Sequence, residues 1–182
     1  MKSVLISIRP QWCEKIASGK KTIEVRKSAP KETPFKAYIY CSYGDMKTNY
    51  YLKGRGKVIG EFICDRVIEW KYLPDDVFPS LRMYYISVDD GEKTCLSYEE
   101  IKKYGKGKTL YGWHISDLKI YDKPKELNEF YRPCSYSGIC YSCNRFRPNG
   151  TPNDKPNDFC DGEITRPPQS WQFVEELWKA QN

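Results

Sequence analysis

Apolar and polar residues alternate from Lys2 to Ile8, placing Val4, Ile6 and Ile8 on one face, the signature of a strand. The period then changes to that of a helix. Pro10 suits a first helical turn, Trp12, Cys13 and Ile16 form an apolar stripe, and Ser18-Gly19 provides a C-cap. Trp12 reads here as a core residue rather than a platform for a ligand. Residues 21–27 return to a strand period, with Lys21, Ile23 and Val25 on one face and Thr22, Glu24 and Arg26 on the other. Phe35 to Tyr43 alternates Ala37, Ile39 and Cys41 against Lys36, Tyr38 and Tyr40. Gly56 to Trp70 is the longest strand signal, and Gly60 within it marks a bulge or bend. Leu73 to Asp90 reads as irregular. Ser97 is an N-cap with Glu99 and Glu100 in the first turn, and Gly105 ends that helix. Lys108 to Tyr121 predicts a last strand, with Tyr111, Trp113 and Ile115 on one face. Five or six short strands with two inserted helices predict an α+β domain built as a compact mixed β-barrel.

A chain of 182 residues accommodates one domain with an appendage, and the strand pattern ends near residue 122. The expected organisation is therefore a domain at 1–122 and an extension at 123–182. The apolar share is 40% and mean hydropathy is −0.73, with no long apolar run and no signal-peptide pattern, so the reading is a soluble, cytoplasmic protein without membrane association. The net charge of +6 is unevenly spread: residues 1–60 hold 13 Lys/Arg against 4 Asp/Glu, and the remainder is slightly acidic. A positive first third implies an anionic partner. The polar stretch 45–55, with Tyr50, Tyr51, Lys53 and Arg55, has the mixture that stacks on bases and pairs with phosphates.

The eight cysteines fall into two groups. Cys13, Cys41, Cys64 and Cys95 sit singly in apolar or amphipathic segments, as small buried thiols do. Cys134, Cys140, Cys143 and Cys160 cluster in a stretch rich in Pro, Asn, Asp and Gly that holds too few apolar residues to fold unaided. Two thiolates spaced CxxC with further cysteines on either side fit a structural zinc held by four sulfurs; a redox CxxC or a disulfide pair is the alternative. Arg132, Arg145, Phe146 and Arg147 nearby would widen a nucleic-acid surface. After Arg166-Pro167-Pro168-Gln169, Ser170 caps an expected helix to Lys179, with Trp171, Val174, Leu177 and Trp178 on its apolar face. Such a helix docks on the barrel or receives a partner protein.

Gly19, Lys21, Glu24 and Arg26 spell G-x-K-x-x-E-x-R. Charges alternating on a strand ordinarily make a solvated face whose ion pairs contribute about 0–1 kcal/mol each. With the preceding strand and helix, however, the motif resembles the signature of the ASCH domain family, a branch of the PUA-like superfold. Tyr111-Gly112-Trp113-His114-Ile115 is similar to the closing strand of bacterial and phage members, and their cysteine cluster followed by a Pro-Pro-Gln-Ser-Trp ending resembles the extension here. The resemblance implies a PUA-like barrel with a cleft beside the signature strand that takes RNA, another nucleic acid or a modified nucleotide. In that reading Lys21 and Arg26 contact phosphate or ribose, Glu24 accepts hydrogen bonds from a base edge, and Lys20 and Lys27 steer the ligand. His114 is either a satisfied, partly buried histidine or, facing the signature strand, a base contact or an acid/base.

Some small members of the family hydrolyse acylated cytidines with a lysine, a threonine and a glutamate. Lys21 matches the lysine, but Glu24 stands where the nucleophilic threonine is found, and Glu92 lies roughly where the family's glutamate falls. Hydrolysis, of such nucleosides or of RNA, is the alternative, with Glu24 as general base for water and Lys21 or Arg26 stabilising an oxyanion. An adaptor role for the extension is a third reading.

Overall fold

A computed structural model describes residues 1–43, 54–73, 84–133 and 162–177. Strand β1 (Ser3–Ile8) runs into helix α1 (Pro10–Ala17), whose buried side is Pro10, Cys13 and Ile16. The chain reverses at Gly19, where φ of +72° takes the left-handed backbone that favours glycine, and enters β2 (Ile23–Arg26). Next come β3 (Phe35–Cys41), β4 (Val58–Cys64) and β5 (Val67–Trp70). Helices α2 (Val88–Thr94) and α3 (Tyr98–Gly105) lead to β6 (Leu110–His114), β7 (Ser116–Lys125) and β8 (Trp171–Val174).

Two sheets form, one of five strands in the order β7-β4-β3-β1-β8 and one of three in the order β2-β6-β5. β1 and β3 are parallel, Ile6 opposite Ile39, while β8 joins β1 antiparallel, Ile6 opposite Trp171. The expectation of one closed barrel thus resolves into two sheets among the described residues. The two segments read as single long strands each change sheet midway. One breaks at Asp65-Arg66, between β4 and β5, and the other at Ile115, between β6 and β7. Asp65 Oδ1 and His114 Nδ1 lie 2.6 Å apart and clasp these two crossing points. Gly60 sits at the predicted irregularity, where the β4–β7 register shifts; a Cβ there would lie 2.4 Å from the Lys119 carbonyl oxygen.

Three apolar clusters hold the layers together. The largest joins β1, β3, β4 and α1 through Val4, Ile6, Phe35, Ile39, Phe62, Cys13 and Ile16 and includes Trp113. The outer face of the three-stranded sheet packs Ile23, Val25 and Trp70 with Ile101 of α3. The second face of β3, expected to be the more polar one, is also buried: Tyr38 and Tyr40 are covered by Phe130, Ile164 and Val174. That cover comes from residues after 122. The expected division at 122/123 falls inside β7, which continues to Lys125, and β8 extends the main sheet.

Two local expectations are corrected. The helix predicted from Ser170 is a strand at Trp171–Val174. Its spacing is compatible with a helix, but Trp-Gln-Phe-Val favours a pleated surface, and β1 offers an edge to pair with. Leu177 packs onto Tyr38's cluster, and Trp178 lies outside the described residues. Conversely, α2 at residues 88–94 begins within the stretch expected to be irregular; its sequence, VDDGEKT, has no apolar stripe and contains a glycine. The helix at 98–105 forms as predicted, with the Ser97 hydroxyl accepting from Glu100 N–H and Glu100 accepting from Ser97 N–H.

Candidate nucleic-acid interface beside the signature strand

The turn after α1 places Lys21 just before β2, where the alternation of strand faces does not yet apply. Lys21, predicted to face away from Glu24, instead turns its ammonium back to lie 3.3 Å from Glu24 Oε2. The other Glu24 oxygen is 3.0 Å from Arg26 Nη2. These are not solvated charges: Lys21, Glu24 and Arg26 are 2%, 6% and 8% exposed. Breaking such a set by removing one partner costs about 3–5 kcal/mol, unlike the surface pairs first compared with it.

The surroundings are built to hold the triad. The Lys21 ammonium also donates to the carbonyls of Ile23 at 2.8 Å and Thr94 at 2.7 Å, so its three donors are engaged. Thr94 is the last residue of α2, and its carbonyl belongs to the negative end of that short helix. Burial holds the Lys21 pKa below the usual lysine value, and Glu24 only partly opposes it. Arg26 Nη2 donates to the Ser7 carbonyl at 2.6 Å, while its buried Nε has no partner. Ser7 in turn donates through N–H to Ser170 O at 2.9 Å and through Oγ to Pro168 O at 2.6 Å. The indole N–H of Trp171 donates to Ser28 Oγ at 3.0 Å. The Pro-Pro-Gln-Ser-Trp stretch therefore braces both sides of Arg26, a role that no sequence period announces.

Aromatic side chains flank the charges. Trp12 is half-buried, with the Lys15 and Lys21 ammonium groups 4.8 and 5.4 Å from its ring centroid, so it is neither wholly core nor detached from the site. Tyr104 of α3 lies within reach of the Arg26 charge, and Lys27 lies 4.9 Å from its ring centroid. Burial raises the Tyr104 pKa, and Arg26 opposes that shift. Tyr104 escaped the sequence reading because it sits on the polar side of a short helix. Lys20 and Lys27 are exposed, as steering groups need to be.

The remaining candidates are placed elsewhere. His114 is partly buried opposite Ile23 and paired with Asp65, away from Glu24's own cross-strand neighbour, Trp113. Glu92 is exposed on α2. Cys13, Cys41 and Cys64 are buried free thiols, and burial pushes the Cys64 thiol up to about 12, which keeps it protonated and inert. Cys95 is partly exposed and donates to the Lys20 carbonyl at 3.3 Å. Tyr50, Tyr51 and Lys53, and the cluster of Cys134, Cys140, Cys143 and Cys160 with Arg145, Phe146 and Arg147, lie outside the described residues. Among the described residues no group of three or more His, Cys, Asp or Glu is arranged to hold a metal, and no helix is long and apolar enough to cross a membrane.

Two sheets, inserted helices and a buried lysine–glutamate–arginine set at the start of the second strand make an α+β domain, and its fold is that of known ASCH structures. The chain is similar over most of its length to ASCH structures from Zymomonas mobilis. A Tyr-to-Phe mutant of ZmASCH aligns with 18% identity and a TM-score of 0.55, covering 97% of this chain and 93% of that one. A further ASCH structure from the same organism aligns with 19% identity and a TM-score of 0.51, covering 96% and 89%. No family model and no curated protein matches the chain. At this identity the likeness speaks for the fold.

Proposed function

We propose that the protein binds RNA or another nucleic acid, or a modified nucleotide, at the mouth beside β2. The observation that carries this reading is a charge imbalance. Glu24 is the single carboxylate between Lys21 and Arg26, leaving one net positive charge nearly out of water. Around it lie Lys15 over Trp12, Lys27 over Tyr104, exposed Lys20, and Arg9, whose charge acts on Tyr104. A low-dielectric floor of net positive charge under a rim of lysines concentrates a polyanion, and the adjoining rings suit bases. In this reading Lys21, with its donors engaged, acts by charge and by holding Glu24. Arg26 and the rim lysines meet phosphate or ribose, and Glu24 holds Lys21 and Arg26 in place beneath them. His114 contributes only through the fold.

Recognition is favoured over hydrolysis because both Glu24 oxygens already face cations, an arrangement that leaves it poorly directed at a water. Charge reversal at two exposed positions tests the reading without disturbing the buried set. Lys20→Glu with Lys27→Glu should weaken binding of labelled RNA at least tenfold and flatten its salt dependence. Equal affinity in wild type and variant would sink the claim.

For the extension, we infer that Cys134, Cys140, Cys143 and Cys160 hold one structural zinc, which supplies folding energy and no catalysis. Metal analysis of protein purified without added zinc should find about one equivalent; less than about half counts against the four-thiolate set.

A further inference from the structure

We propose that the binding surface continues from the Arg26 end of β2 onto β8, so that its partner is a single strand of nucleic acid several nucleotides long rather than a free nucleotide. This rests on the nucleic-acid reading above and narrows it.

The path is continuous through contacts of the fold. It starts at Tyr104, which lies within reach of the Arg26 charge and is 36% exposed, with the Lys27 ammonium 4.9 Å from its ring centroid. Ser28 follows Lys27 and accepts the Trp171 indole N–H at 3.0 Å. Trp171 meets Phe173 edge to face, with ring centroids 5.4 Å apart, and Phe173 is 40% exposed. Trp171 and Phe173 pair with Ile6 and Val4 of β1, so they stand two residues apart on one face of β8. Partly exposed aromatic side chains, with the exposed Lys27 among them, thus succeed one another away from the buried triad.

Charge selects the occupant. The exposed cations Lys27 and Lys31 follow β2 and the exposed Arg166 precedes β8, while Glu24 is taken up by Arg26 and Lys21 and Glu32 by Lys2. Rings interspersed with cations differ from a purely apolar patch suited to a protein helix. They match a backbone of phosphates whose bases stack without sequence preference. Ser7 and Ser28 tie this second wall to the triad, so β8 and β2 present one surface.

The test compares uridine 5′-monophosphate with a decauridylate RNA, followed by tryptophan fluorescence and anisotropy on the full chain. The decamer should bind at least tenfold more tightly and show the steeper salt dependence. Phe173→Ala changes a partly exposed ring and should weaken the decamer about fivefold to a hundredfold while the monophosphate titrates as in wild type. Trp171→Phe, which keeps the core contact with Trp113, provides a second variant with a change in the same direction. Equal affinity for monophosphate and decamer, or equal losses for both in Phe173→Ala, overturns the extended surface but leaves the triad site standing. Absence of binding to either probe overturns the nucleic-acid reading itself.

Discussion

Two buried lysines behave in opposite ways, and the contrast separates a binding surface from a structural latch. Lys21 lies under β2 with Arg26 competing for the one carboxylate of Glu24, and burial lowers its pKa. Lys36, on the far face of the five-stranded sheet, is nearly as covered, yet its pKa is raised. Burial works against its charge, but the hydrogen bond to Glu176 and the nearby Tyr38 and Glu61 outweigh it. Around Lys36 the chain supplies its own cover: Glu176 pairs with the ammonium, Leu177 N–H donates to Tyr38 Oη at 2.9 Å, and Tyr121 donates to Glu61 at 2.6 Å. Its anions exceed its cations. Around Lys21 the cations exceed the anions and the surplus faces a lysine rim. A cluster closed by the chain's own residues has no cation left to offer an anionic partner; the other has.

The largest expected effect probes the triad. Glu24→Leu leaves two buried cations facing each other and should cost about 3–5 kcal/mol in a denaturant titration. Lys36→Met should cost only about 1 kcal/mol, because Glu176 is half-exposed and can be hydrated. Equal losses at the two positions would break the comparison. Tyr121→Phe, which removes the hydroxyl on Glu61, should cost about 1 kcal/mol at neutral pH by thermal unfolding.

Titration sharpens the same contrast. Burial and then Glu61 raise the Tyr121 pKa, so its contribution is complete below the ordinary tyrosine value of 10.0 and is lost as pH rises above it. Tyr121→Phe should flatten that alkaline decline in unfolding midpoint. Glu100 moves the other way. Hydrogen bonds from Ser97 lower its pKa, helped by the charges of Lys15 and Lys21. Its contribution is complete above the ordinary glutamate value of 4.5 and is lost as pH falls through the depressed folded value. Glu100→Gln should make the acid decline shallower, the smallest effect of the series, read from stability at stepped pH. A profile unchanged from wild type would show that the Ser97–Glu100 capping box adds no acid-sensitive stability.

Much of the architecture was legible because local periods and caps are short-range. β1, α1, β3, the Ser97 capping box and the bulge at Gly60 all follow from spacing within a few residues. The crossings at Asp65-Arg66 and Ile115 were not legible, since a strand that changes sheet keeps its apolar run. Nor was β8, whose four residues became a strand because the edge of β1 was there to pair with. For the site, the motif marked Lys21, Glu24 and Arg26, and the structure brings all three together, though by a turn rather than by one strand face. Tyr104 and Trp171 joined them from α3 and from β8, too distant in sequence for any period to connect.

The sequence by itself determined most of the elements, the cationic first third and the residues of the triad, since these depend on local pattern and composition. Tertiary structure alone decided that those charges are buried, that one of two lysine clusters is closed by the chain's own tail, and that Pro168–Trp171 braces Arg26. Burial and pairing are sums over distant neighbours, and a charge acquires its energy from those neighbours rather than from its place in the chain.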